Sequence, residues 1–323
     1  MKVSYLKLSL IGLTLNIVPL ALAGKTLAAV TFEGGFETAL YQYPNAINNW
    51  HDPQPYPPGE RLTRVNNPVR KDNWSFRAEV RPGDNYGSSG ERAEIYGMYG
   101  PDGKEVVENE QSGTQFYTLS IYLPPDWSPP VTNDPWEPFG IFMQLHGPDI
   151  LHASPSFAIN ARDTYYISIH SGDQDQGPDY FVRDYQLGSV LLGQWVDFVF
   201  KIKWAKTPTG TLDVWRRNQN QTDFTELVSV INIPTLQFKS SINNGDIENH
   251  YWKTGYYRSR EPHTNVVFLD SHTRGDSFDE VVVAAFPTTV SPSSTPETKP
   301  GDANGDNQVD GIDYVIWLNN YNN

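Results

Sequence analysis

The stretch 195-WVDFVFKIKW-204 decides the fold class. Trp195, Asp197, Val199, Lys201 and Lys203 alternate with Val196, Phe198, Phe200, Ile202 and Trp204. A strand turns successive side chains to opposite faces, so the second set forms an unbroken apolar face and the first a mainly polar one. That is the signature of an antiparallel strand with one side on a core and the other toward water. Shorter runs of the same kind recur from about Val30 to Phe286: VTFEGGFE, WSFRAEV, ERAEIYG, FYTLSIYLP, FGIFMQLHG, YYISIHSG, GTLDVWR, NVVFLDSHT and FDEVVVAAF. Gly, Pro, Asn and Asp separate them, and no long segment has helical periodicity. The expected architecture is all-β, a β-jelly roll made of two antiparallel sheets, with few helices.

Composition narrows the function. The 323 residues carry a formal net charge of −14, and no basic stripe is visible, which argues against a nucleic-acid partner. Aromatic residues make up 13% of the chain, a content that suits broad aromatic sheet surfaces. There is no cysteine, so no disulfide can form and stability has to come from a large core.

Three flanking segments read differently from the strands. Residues 1–23 combine Lys2 and Lys7, an apolar run and a closing Ala-Leu-Ala, the pattern of a secretory signal peptide. The domain expected at 24–286 is followed at 287–300 by PTTVSPSSTPETKP, a Pro/Ser/Thr linker unable to bury a core. In the tail, 301–323, Asp302, Asn304, Asp306, Gln308, Asp310 and Asp313 fall at positions 1, 3, 5, 7, 9 and 12 of a loop. Oxygen ligands at this rhythm wrap a hard cation, and Ca²⁺ in a structural role is expected. The following YVIWLNNY has apolar residues at helical spacing. No cofactor for catalysis is expected.

Chemistry concentrates in three of the strands. In 251-YWKTGYYRS-259, Tyr251, Lys253, Gly255 and Tyr257 share one face. ERAEIYG places Arg92, Glu94 and Tyr96 together, and FMQLHG does so for Gln144 and His146. Taken singly, a Gln-x-His is ordinary strand polarity and an Arg-x-Glu an ordinary ion pair. Their joint occurrence in one sandwich is what points to a site. His51, Arg258 and Arg260 are further candidates for the cleft, while Trp252 and Tyr256 belong to the opposite, core-facing side.

These segments resemble the Arg-x-Glu-Leu-Arg, Gln-Ile-His and Tyr-Phe-Lys-Ala-Gly-x-Tyr signatures of alginate lyase family 7. Tyr96 stands where that family has its last arginine, and Leu145 where it has isoleucine. The chain from Val30 to Phe286 is similar more broadly to the jelly-roll, concanavalin-like polysaccharide lyases of the heparin lyase I and glucuronan lyase group. The tail resembles a single repeat of a dockerin, the calcium module that docks enzymes onto scaffold proteins, where a full dockerin has two. That resemblance implies a cohesin-like or cell-surface partner.

The lyase resemblance implies a secreted enzyme acting on an anionic, uronic-acid polysaccharide by β-elimination. The C5 proton is removed and the O4 substituent expelled. Donors must neutralise the C6 carboxylate, and Arg92, Gln144 and His146 have the right chemistry. Tyr257 is the implied acid, and in a syn elimination one phenol can also serve as base. A phenol with an ordinary pKa near ~10 needs a cation beside it for that, which Lys253 would supply. Glu94, Tyr251, Arg258 and His51 are the implied substrate-binding residues. Two other readings stay open on the same sandwich: a glycoside hydrolase using two carboxylates from Glu91, Glu94, Asp276, Asp279 and Glu280, and a non-catalytic carbohydrate-binding module.

Overall fold

A computed structural model describes residues 30–286 except 56–57, 85–89, 135–136, 176–180, 243–244 and 246–248. The signal, the linker and the six expected calcium ligands Asp302, Asn304, Asp306, Gln308, Asp310 and Asp313 lie outside the described residues. In chain order the strands are β1 (Phe32–Glu33), β2 (Asn49–Pro55), β3 (Leu62–Val65), β4 (Ser75–Val80), β5 (Glu91–Tyr99) and β6 (Glu105–Val106). Then come β7 (Thr114–Tyr122), β8 (Gly140–His146), β9 (Phe157–Ala161), β10 (Thr164–Asp173), β11 (Phe181–Ser189) and β12 (Trp195–Lys203). The last are β13 (Gly210–Asn218), β14 (Thr225–Ile233), β15 (Gln237–Phe238), β16 (Tyr251–Arg258) and β17 (Asn265–Gly275). Two helices are short, α1 (Pro58–Arg61) and α2 (Phe278–Ala285).

The strands form the expected sandwich. One sheet runs β14-β13-β12-β7-β17-β4-β3, with β1 on β17. The other runs β11-β10-β9-β8-β16-β5-β2, with β6 on β5 and β15 on β10. Every pairing along these two paths is antiparallel. Between the sheets lies one continuous core to which β12 contributes Val196, Phe198, Phe200 and Ile202, all fully buried. The opposite strand β16 contributes Trp252, whose ring centroid lies 5.6 Å from Trp50, 5.6 Å from Tyr117 and 5.5 Å from His272. This aromatic cluster behind the second sheet holds β16 in place, since the rings bury a large apolar area and Trp252 packs edge to face on Trp50 and Tyr117.

Two expectations at the first sheet need correction. The second face of β12 meets water only toward its end, at Lys201 and Lys203: Val199 packs against Val281, Ala285 and Phe286, and Asp197 is fully buried. Asp197 is held by Arg70 at 2.7 Å, Arg217 at 2.8 Å and the Ser120 hydroxyl at 2.8 Å, so its charge is paired and solvated from within. The cover is FDEVVVAAF, which the alternation suggested as a strand and which is helix α2. Ser277 caps it by accepting from the Glu280 amide, and Asp279 and Glu280 favour its first turn. Val281 and Ala285, one turn apart, then share the buried face.

Candidate active site

The exposed face of the second sheet gathers the three motifs. Along β16 and β5, Lys253 is opposite Tyr96, Gly255 opposite Glu94, and Tyr257 opposite Arg92. On the other side of β16, Tyr251 is opposite His146 and Lys253 opposite Gln144. Antiparallel partners project to the same face, so Arg92, Glu94, Gln144, His146, Tyr251, Lys253 and Tyr257 surround one patch at the centre of the sheet.

Gly255 is required by the backbone. Its φ is +147°, and a Cβ there would lie 2.2 Å from the Ala93 carbonyl oxygen and 2.6 Å from the Glu94 Cα. Alternation along β16 keeps Tyr257 on the site face, and a register shift against β8 between Thr254 and Tyr257 sets Ile141 beside it.

The centre is a charge network with little water. Glu94 is 1% exposed, Gln144 2% and Lys253 3%. The Gln144 amide donates to Glu94 Oε1, and Arg92 Nη1 lies 3.6 Å from Glu94 Oε2. The Arg92 guanidinium also sits 3.9 Å above the ring centroid of Tyr257, whose other neighbours are Phe139, Ile141 and Ala158. Burial, followed by the charge of Arg92, pushes the Lys253 ammonium below its ordinary pKa, while Glu94 pulls the other way. Arg92 and Lys253 face one buried carboxylate, Glu94, with Asp149 at the exposed edge, so two cations stand ready for an anion inside a strongly acidic protein.

His146 is the second titratable group. Burial and the nearby Lys253 charge lower its pKa to about 4, so the imidazole is neutral at physiological pH. Its Nδ1 lies 2.6 Å from the Gly147 carbonyl oxygen, which can only accept. The proton therefore resides on Nδ1, and Nε2 carries a lone pair. A neutral imidazole of this tautomer presents an acceptor rather than a donor at Nε2.

The remaining candidates divide. The Tyr251 hydroxyl donates to Asp149 at 2.9 Å, and its ring lies 5.3 Å from His146 and 6.0 Å from Tyr96. Burial and then Asp149 raise the Tyr251 pKa, which keeps this phenol protonated. His51 is on the β2 rim of the same face, stacked on Tyr99 at 4.6 Å and bonded to Asp52 at 2.8 Å. Arg258 is not on this face. It is fully buried, bonded to Glu91 at 2.9 Å on the far side of the sheet, and cannot meet a polysaccharide. Arg260 pairs with Asp134 at 2.8 Å.

Sequence reading missed Asp149, which follows His146 in the turn HGPDI and reaches Tyr251. It also missed Asp52, which accepts from the Tyr96 hydroxyl at 3.3 Å and links β5 to the β2 rim. The Gly-Pro-Asp turn was a visible signal for the first. For the second there was little, because two prolines disguise β2.

The polysaccharide lyase family profile matches residues 40–273. The chain belongs to this family, and is a polysaccharide lyase. Among solved structures it is similar to the endo-β-1,4-glucuronan lyase of the fungus Trichoderma reesei, with 17% identity and a TM-score of 0.54 over 77% of this chain and 96% of that one. A family 7 alginate lyase, A1-II′, matches at 14% identity and TM-score 0.45 over 68% of this chain and 84% of that one. The catalytic domain of a glycoside hydrolase family 131 protein from Coprinopsis cinerea matches at 12% and 0.45 over 77% and 95%. No curated protein sequence matches the chain. The glucuronan lyase match supports the jelly-roll architecture. No helix among the described residues is long and apolar enough to cross a membrane.

Proposed function

We propose that this lyase cleaves a uronic-acid polysaccharide by β-elimination at the face formed by β5, β16 and β8. The observation that carries the reading is the juxtaposition there of Arg92, Glu94, Gln144, His146, Lys253 and Tyr257. The C5 proton next to a charged carboxylate is very weakly acidic. Arg92, Lys253 and the free amide hydrogen of Gln144 are the groups to offset that charge and hold the enolate-like character that develops. Glu94 positions them by accepting from Gln144 and facing Arg92.

In the reaction, a base removes the C5 proton, the electron pair forms the C4=C5 double bond, the C4–O4 bond breaks, and an acid protonates O4. Tyr257 supplies the proton to O4. Where the geometry of the sugar is syn, Tyr257 is also the base, and Arg92 over its ring offsets the phenolate charge. Where it is anti, the Nε2 lone pair of His146 is the base. Tyr251 and His51 line the groove for the rest of the chain. The glucuronan and alginate lyases among the similar structures act on two uronic polymers, which supports the substrate class. The signal-like 1–23 segment supports export to where such polymers occur.

Nothing comparable favours a hydrolase. Glu91 is tied to Arg258 beneath the sheet, and Asp279 and Glu280 belong to helix α2 on the opposite side of the molecule. Incubation with glucuronan, alginate and heparin-like chains tests the reading through the ultraviolet absorbance of the unsaturated uronate end. New reducing ends without that absorbance would identify a hydrolase, and binding with neither would identify a carbohydrate-binding module.

A further inference from the structure

A carboxylate stands at the edge of a site built for an anion. Asp149 opens the short 3₁₀ turn Asp149–Leu151 that follows β8. The turn is anchored: Leu151 is buried, its amide donates to the Pro148 carbonyl at 3.0 Å, and Lys239 donates to its carbonyl at 3.2 Å. The Asp149 side chain itself is 83% exposed. Its Oδ1 accepts from the Tyr251 hydroxyl at 2.9 Å and lies 3.7 Å from Nδ1 of His146. Tyr251 and His146 are register partners on β16 and β8, so one carboxylate oxygen spans both.

The electrostatic sense of this contact is definite. Around the imidazole, Lys253 and Arg92 oppose protonation, as burial does, while the Gly147 carbonyl and Asp149 favour it. Glu94 is turned to Gln144 and Arg92. For binding alone, an exposed carboxylate on this rim is unfavourable, because it repels a polyuronate. Its charge becomes favourable only when the ring turns cationic, which happens in the transition state of proton transfer.

Resting on the lyase reading above, we propose that Asp149 is a positioning residue for His146 as the base: held by the Tyr251 hydroxyl, its carboxylate offsets the charge that the imidazole acquires on taking the C5 proton. The proton passes from C5 to Nε2, the C5–H electron pair becomes the C4=C5 double bond, and O4 leaves with the proton of Tyr257. The imidazolium keeps its Nδ1–H, and no proton reaches Asp149. Proton exchange with water then resets His146 and Tyr257.

Asp149→Asn tests this, because it keeps an oxygen acceptor for Tyr251 and removes the charge. The substrate to use is the uronan whose turnover depends most on His146, judged by His146→Ala. On it kcat should fall about fivefold, the upper scale of an exposed ion pair, while KM stays level or drops. Asp149→Glu should restore part of kcat, and raised salt should narrow the gap between wild type and Asp149→Asn. A kcat kept by Asp149→Asn, or a loss that comes with a raised KM, would overturn the role. So would full turnover of every uronan by His146→Ala, which leaves Asp149 no base to support. If the wild type yields no unsaturated product from any uronan, the lyase reading on uronans fails instead. NMR titration of the His146 ring then judges the pair alone: a titration displaced to lower pH in Asp149→Asn sustains it, and an unmoved one removes it.

Discussion

At the scale of single residues, the site predicts sharply different outcomes for neighbours. Tyr257→Phe keeps the ring between Arg92 and Phe139 and loses only the hydroxyl. Turnover should vanish while oligosaccharide affinity stays near wild type, as calorimetry on the variant would read; a wild-type kcat would remove Tyr257 from the reaction. Gln144→Ala should cost about 10²-fold in kcat, the usual scale for a donor to developing charge. For His146, deprotonation is centred at a pH of about 4, so its contribution to kcat/KM should rise as pH increases through about 4 rather than through the ordinary 6.5. A pH profile of the free enzyme with its acid limb at 6.5 would contradict the buried, neutral imidazole. Most of these residues were readable because period-two alternation puts Arg92, Glu94, Lys253 and Tyr257 on definite faces. Arg258 shows the limit of that reading. One position past Tyr257 the alternation already points inward, and charge alone wrongly suggested the cleft.

At the scale of elements, strand identity was legible wherever apolar residues alternate, as in β12 and β16, and poorly legible at edges. Edge strands such as β2 bury one side only partly and tolerate Pro53 and Pro55, so their pattern is weak. Helix α2 was misread because three consecutive valines favour a strand locally, whereas the Ser277 cap and the packing of Val281 and Ala285 decide otherwise. The element that most constrains the site is the aromatic cluster behind it. His272 of β17 is fully buried there, with its Nε2 2.8 Å from the Thr254 hydroxyl of β16, and burial lowers its pKa to about 3. In the unfolded chain it titrates near the ordinary 6.5. The unfolded state therefore binds the extra proton first, and stability falls as pH drops from about 6.5 to about 3. Asp270, on the same strand, acts in the opposite sense: burial raises it to about 7, so its contribution falls as pH rises from about 4 to about 7. Comparing denaturant midpoints of the wild type and His272→Gln across this range isolates the histidine. The stability difference between them should shift in favour of the variant as pH drops, and a pH-independent difference would mean that His272 is not buried as a neutral ring.

At the scale of the molecule, the sandwich closes on itself at Phe286, which packs with Val199, Val281 and Ala285 on the outer sheet. A charged patch then occupies the middle of the other sheet, and its groups named above, from Arg92 to Tyr257, all precede Phe286. The linker that follows has too few apolar residues to add to the core. A chain ending at Phe286 should accordingly keep full lyase activity and most of the thermal stability of the longer one. Phe286 itself has to remain, because a cut before helix α2 would expose Val199 and the apolar side of the sheet. The tail is expected to do something separable. Asp302, Asp306, Asp310 and Asp313 recur in its sequence at calcium-ligand spacing, and four carboxylates brought together at that spacing would repel one another without a cation. Calorimetric titration with calcium should therefore show one site in the full chain and none in the chain ending at Phe286, with equal kcat for both in chelator. Equal calcium binding by the two chains would place the cation in the sandwich, and loss of turnover on truncation or chelation would make the tail part of the catalytic unit.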